Sequence, residues 1–204
     1  AAPIHSKEGQ SYLHDMKTAA NYAFANRAVL AHRLCLGLKA ELGNAVDLTT
    51  IYDVSHNIAK IEDHQIHGVN CTCVVHRKGA TRAFSGDKMG AHDVFKQTGQ
   101  PVLVPGDMGR GSWIMAGPVS GQNMAFGSAC HGAGRAMSRT VARKTIDPEI
   151  QRNELNEQGV IVHAATKNIL SEEAPAAYNN VDNVIENTYS ANLARPVLRL
   201  EPIA

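Results

Sequence analysis

Several things are missing from this sequence, and each absence narrows what the protein is. No run of residues is long and apolar enough to cross a bilayer, and neither a signal peptide nor a lipidation motif is visible. The four cysteines, Cys35, Cys71, Cys73 and Cys130, form no Cys-x-x-Cys pair, and Cys71 and Cys73 are too close for an ordinary zinc knuckle. These absences lead us to expect a soluble, cytoplasmic protein with reduced thiols and no membrane partner. There is no excess of charge: 20 Lys and Arg stand against 19 Asp and Glu, a net charge of +1. That balance excludes a protein that coats nucleic acid by bulk charge and leaves room for a local basic patch. No internal repeat is present. An initiating methionine is missing too. The chain opens on AAPIHSKEGQ and closes on LEPIA directly behind the apolar VLRL, so both ends are expected to be cuts.

What is there is a core and one dense motif. An apolar content of 44% over 204 residues suffices for one large domain or two small ones, and we read a single domain over 1–204. The motif is Phe126 to Arg139, FGSACHGAGRAMSR, with His131 inside a run of small residues. Such a loop lets backbone approach a bulky anion, and a helix entered directly behind it, to about Lys144, would turn its positive end to the same point. Arg135 and Arg139 would lie one turn apart on that helix. A histidine over a phosphate cradle either attacks phosphorus or passes protons beside it. The competing reading is a glycine-rich helix cap with a solvated histidine.

In chain order, Gly9–Leu42 reads as a long helix, with Leu13, Met16, Ala20, Phe24, Leu30, Leu34 and Leu38 near helical spacing and Gly43-Asn44 as the stop. Leu48–Val54 alternates like a strand and ends in Ser55-His56-Asn57. Glu62–His67 is either a helical face presenting His64 and His67 to a metal or an exposed polar turn before Gly68. Val69–His76 reads as a strand, and HRKGATRAF behind it is either a phosphate-gripping turn, through Arg77, Lys78 and Arg82, or a solvated hairpin tip. Ser85–Gln97 reads as a polar loop and Gln100–Val104 as a strand closed by the Pro105–Gly109 turn. Arg110–Met115 and Asn123–Phe126 are strand-like around a Gly117–Gly121 turn. Pro148 opens a helix that runs to Gly159. Val160–Ala164 reads as a buried strand, Ser171–Tyr178 as an acidic turn, Asn180–Ser190 as a helix and Val197–Leu200 as a last strand. Strands and helices do not alternate strictly. The fold class is therefore α+β, with mixed or antiparallel sheets and flanking helices.

GQSYLHDMKTAANYAFANR, YDVSHNIAK, HRKGATRAF, GQPVLVPGDMG, FGSACHGAGRAMSR and EAPAAYNNVD, taken in order, resemble the RtcB-type RNA ligases over nearly all of the chain. The resemblance implies an RtcB-like catalytic fold and a GTP- and Mn²⁺-dependent ligase that seals RNA in tRNA splicing and RNA repair. It implies that an RNA 3′-phosphate or 2′,3′-cyclic phosphate is joined to a 5′-hydroxyl through a guanylylated His131. His56 is implied as a metal ligand, with Asn57 beside it in the GTP pocket. Pro105, Gly106, Asp107, Met108, Ser112, His131, Gly132, Ala133 and Gly134 are implied to line the nucleotide, and Tyr178 to lie near the guanine. Arg77, Lys78, Arg82, Arg135 and Arg139 are candidate RNA or triphosphate contacts. RNA ends or tRNA exon halves are the implied partners, together with the activating protein archease.

The departures from the family pattern shape the expectation. Its N-terminal Asp and Cys ligands, its Asn-His-Phe histidine and its His-x-Gly-Ser-Arg histidine find no counterpart here, nor does the lysine beyond its Pro-Ile. Asp107 stands where the family has a serine. The expectation is therefore the C-terminal half to two-thirds of a ligase, poor or inactive alone. The alternatives are an RNA- or GTP-binding module without ligase activity, and a phosphohydrolase built on His56, His64 and His67.

Overall fold

A computed structural model of the chain describes residues 1–90, 93–119 and 124–203. The protein is α+β and divides into two compact units, Ala1–Arg77 and Lys78–Ala204.

The first unit is a long helix with a hairpin. Helix α1 (Lys7–Leu42) starts at Ser6, whose hydroxyl accepts from the Gly9 N–H, and ends at Gly43, which adopts φ +92°. Strands β1 (Asn57–Ile66) and β2 (Val69–Lys78) pair into a two-stranded sheet. His67 and Gly68 both have positive φ, as a two-residue type I′ turn requires. The expected helical face or exposed turn over Glu62–His67 is thus mostly strand. His64 is buried against Glu62, 3.1 Å away, and His67 is spent on the turn. The strand expected over Leu48–Val54 does not form. That segment finds no ladder partner among the described residues and is tied to α1 by a 2.6 Å bond from Arg27 Nε to Asp53.

In the second unit, β3 (Ala80–Arg82) leads past a 3₁₀ turn at Gly86–Lys88 to α2 (Asp93–Thr98). The polar loop expected there is therefore largely helical. Next come β4 (Pro101–Asp107), β5 (Gly111–Ala116) and β6 (Ser128–Cys130). The Gly117–Gly121 turn and the Asn123–Phe126 segment fall partly outside the described residues. Helices α3 (Arg139–Thr145), α4 (Pro148–Glu157), α5 (Lys167–Glu172) and α6 (Val181–Ser190) precede β7 (Arg195–Leu200). Strands β4, β5 and β7 form an antiparallel sheet in that order, and β3 pairs antiparallel with β6. Val181 and Ile185, four apart on α6, pack on Val102, Val104 and Met115 of the sheet. Each such apolar side chain buried is worth about 1.5–3 kcal/mol. A second cluster joins Leu155, Val160 and Leu170.

Two further expectations are corrected. The helix behind His131 begins at Arg139, capped by the Ser138 hydroxyl, because Gly134 at φ +73° breaks any helical run before it. Val160–Ala164 is not a strand and of its residues only Val160 is buried; the Ile161 N–H donates to the Ile203 carbonyl at 3.3 Å.

Candidate active site

Three segments of the Lys78–Ala204 unit meet around the loop that carries His131. The loop leaves β6, and the register Ala80↔Cys130 brings the start of β3 alongside. Gly79, at φ +73°, lies so close that a Cβ there would sit 3.7 Å from His131 Nε2. On a second side the loop is pinned to the end of β4 by a 2.9 Å bond from Ala133 N–H to the Pro105 carbonyl. On a third, Asn179 closes it: its backbone N–H donates to the Gly134 carbonyl at 3.0 Å and its side-chain amide to the Ala133 carbonyl at 3.2 Å. Ala133 is buried and belongs to the core, and its N–H is committed to protein. Whatever the loop offers an anion therefore comes from other groups.

The turn after β4 is built just as tightly. A Cβ on Gly106 would collide with the Gly111 carbonyl and crowd Val181, so only glycine fits. Ser112 Oγ accepts the Gly106 N–H at 3.2 Å, so this hydroxyl holds the turn. Met108 packs on the Leu155 cluster. The Asp107 carboxylate is fully buried and turned into its own backbone, with Oδ1 accepting the N–H groups of Gly109 and Arg110 at 2.9 Å each and Oδ2 3.6 Å from Arg110 Nε. Oδ1 is thus bonded within the turn, whereas Oδ2 is shielded from water without a hydrogen bond and has only the Arg110 guanidinium at ion-pair distance.

Tyr178 is half-buried and its backbone bridges to Arg135. Its hydroxyl donates to Glu173, and the Arg135 guanidinium lies 4.9 Å over its ring. Burial, reinforced by the Glu173 carboxylate, raises the Tyr178 pKa above the usual phenol value. Arg135 also donates to the Tyr178 hydroxyl at 3.1 Å, to the Glu172 carbonyl at 2.6 Å and to the Met137 carbonyl at 3.1 Å. Its fork is spent on positioning the chain behind His131. Arg139 and Arg143 extend the network through Glu172, at 3.4 and 2.6 Å.

The remaining candidates divide between the two units: Arg77, His56 and Asn57 belong to the first, Lys78 and Arg82 to the second. Arg77 is buried in the first unit and forks onto both Glu62 oxygens at 2.9 and 2.8 Å. Arg82 donates to Gln100 at 3.2 Å and stacks over Phe84, while Lys78 is exposed. His56 and Asn57 are exposed at the start of β1 in the first unit. Among the described residues, no three or more His, Cys, Asp or Glu side chains gather to hold a metal. The described residues of this chain by themselves therefore do not fit a manganese centre. Sequence reasoning passed over Gly79, Asn179, Glu172, Glu173 and Arg110. Arg110 donates to the Pro175 carbonyl at 2.9 Å and holds the Tyr178 segment to the turn. The available signal was Asn179 itself, a short amide beside Tyr178 able to bond backbone.

A family model described as tRNA-splicing ligase RtcB matches residues 1–204. A protein of Thermococcus kodakarensis named tRNA-splicing ligase RtcB is 42% identical over 209 residues, which cover 100% of this chain and 43% of that protein. Proteins of the same name from Archaeoglobus fulgidus and Methanopyrus kandleri are 40% and 44% identical over 99% of this chain, covering 42% and 21% of their own lengths. The chain spans less than half the length of these curated relatives.

Proposed function

This chain belongs to the RtcB family of tRNA-splicing ligases, and from that premise we propose that it carries the nucleophile of an RNA ligase that joins a 3′-phosphate or 2′,3′-cyclic phosphate end to a 5′-hydroxyl. The observation that carries this reading is the meeting of the His131 loop, the Pro105–Met108 turn and the Tyr178 segment, held together by the Ala133, Asn179 and Arg110 bonds.

The chemistry follows from the residue types. A nitrogen of neutral His131 attacks the α-phosphorus of GTP. A P–N bond forms, the bond to the pyrophosphate oxygen breaks, and the ring gives up its proton. GMP then passes from the histidine to an RNA 3′-phosphate, which a cyclic end supplies after hydrolysis by water. The 5′-hydroxyl oxygen attacks that activated phosphorus, the phosphodiester forms, and GMP leaves. This chain's contribution is a braced loop: Gly79 supplies the left-handed backbone beside the imidazole, and Asp107 Oδ1 is bonded within its own turn. GTP is the co-substrate, and broken RNA ends or tRNA exon halves are the substrates. A cytoplasmic location and activation by archease belong to the same reading. Manganese dependence belongs to it as well, but the described residues of this chain do not build that centre.

That lack of a ligand set favours a second reading, an RNA- or GTP-binding module without sealing activity. One experiment separates the two. The chain is incubated with α-labelled GTP and Mn²⁺, alone and with the N-terminal half of a related ligase, beside His131→Ala. Label that survives denaturation on wild type and is lost in His131→Ala is the expected outcome. No label under either condition, with GTP or RNA still bound, overturns the ligase reading in favour of the binding module.

A further inference from the structure

A cleft in the second unit lies between α4 and the segment behind it. It measures about 480 Å³ and is lined by Arg152, Val162, His163, Ala164 and Ala165. None of these residues holds the His131 loop. Arg152 is half-buried on α4, and its Nε is shielded from water with no hydrogen-bond partner. Among the described residues, no hydrogen bond or ion pair engages its guanidinium at all. This differs from the arginines around it: Arg110, Arg135, Arg143 and Arg199 all donate to protein acceptors. Glu149, one turn back on α4, is the carboxylate that Arg152 influences, but it is already bound by Lys167 at 2.9 Å. A cationic donor with no acceptor is costly to keep. Arg152 lines the cleft, so an anion there would meet its guanidinium, and the exposed His163 supplies a second nitrogen.

We propose that this cleft is a second anion site, taking a phosphate group on the Arg152 guanidinium with His163 beside it. The planar fork suits phosphate oxygens, and the open mouth of the cleft lets a phosphate group reach it. A phosphate of this kind comes either from an RNA backbone or from a small free phosphate.

The test follows the side-chain ¹⁵Nε–H signal of Arg152, assigned by its disappearance in Arg152→Lys. One arm titrates inorganic phosphate. The other titrates a short oligoribonucleotide with hydroxyls at both ends, so that all its phosphates are internal. Chloride at matched ionic strength is the control. The Arg152 signal is expected to move with phosphate and not with chloride. Movement at a lower concentration of oligoribonucleotide identifies the RNA backbone as the source, and movement with inorganic phosphate alone identifies a small phosphate. Isothermal calorimetry with the same ligands reads the variants: Arg152→Gln is expected to weaken binding about tenfold or more. His163→Ala, at an exposed position, is expected to weaken it less while leaving the fold intact. The movement is expected to persist in His131→Ala, which separates this site from the labelling reaction above. A signal still in both arms, or binding unchanged in both Arg152→Gln and His163→Ala, overturns the proposal.

Discussion

The two units are stabilised by different means. In Ala1–Arg77, the 36-residue α1 spans about 54 Å yet buries only Gly9 and Leu13, while Tyr22, Leu34 and Leu42 are 75%, 58% and 67% exposed. Its hairpin is fixed by a two-residue turn and a buried polar set, Glu62, His64 and Arg77. In Lys78–Ala204, side chains from β4, β5, β6, α6 and the loops between them bury one another in a shared apolar core. The first unit is thus held mostly by local signals and ion pairs, Arg77 with Glu62 and Arg27 with Asp53, the second by long-range burial. The site loop lies in the second, where its shape depends on distant partners.

The buried ion pair offers the sharpest way to break the contrast. Arg77→Met leaves the Glu62 carboxylate buried without its fork and is expected to cost about 3–5 kcal/mol. Denaturant unfolding should detect the loss in the first unit. Arg77→Met with Glu62→Leu should recover most of it, and failure of the double variant to recover would show that the pair does more than neutralise itself. Next in size is a matched truncation. Met115→Ala, at a fully buried position, is expected to cost about 2–5 kcal/mol, whereas Leu34→Ala on the exposed face of α1 should stay within about 0.5 kcal/mol. Equal losses would abolish the distinction between the units.

The smallest effect is electrostatic and belongs to the site. The Tyr178 pKa is raised in the folded state, by burial first and by Glu173 second. A raised pKa means that the unfolded chain loses this proton first. The contribution to stability is therefore complete below the ordinary phenol range and disappears as pH rises through the folded-state value. Absorbance titration at 295 nm should show one tyrosine ionising above the others in wild type. In Glu173→Gln that tyrosine should ionise earlier. Identical titration curves for the two proteins would remove Glu173 as a cause.

The same contrast explains what was legible. Helix α1 was readable nearly to its ends, because apolar spacing and the Gly43-Asn44 stop are local in sequence. The same holds for α4 behind Pro148 and α6 behind Asn180. The stretch from His131 to Ser138 was misread as helix entry, because its shape is set by Pro105, Ala177 and Asn179, which no local window contains. Leu48–Val54 has the alternation of a strand but, among the described residues, no strand beside it, and a ladder is a property of two segments. The pairing of Arg77 with Glu62 was likewise invisible, since a basic turn reads the same whether its charges face water or a buried carboxylate.

Composition and motif spacing by themselves determined the α+β class, the family resemblance and the choice of His131 as the residue of interest, because residue types and their intervals along one chain are enough for that. Only the tertiary structure decided that Arg77 and Arg135 are held by protein groups, that Asp107 Oδ1 is bonded within its own turn, and that Arg152 is left with a buried donor and an open cleft. Those outcomes depend on which distant groups arrive next to each charge, and charges buried or unpaired by folding carry energies that no local pattern encodes.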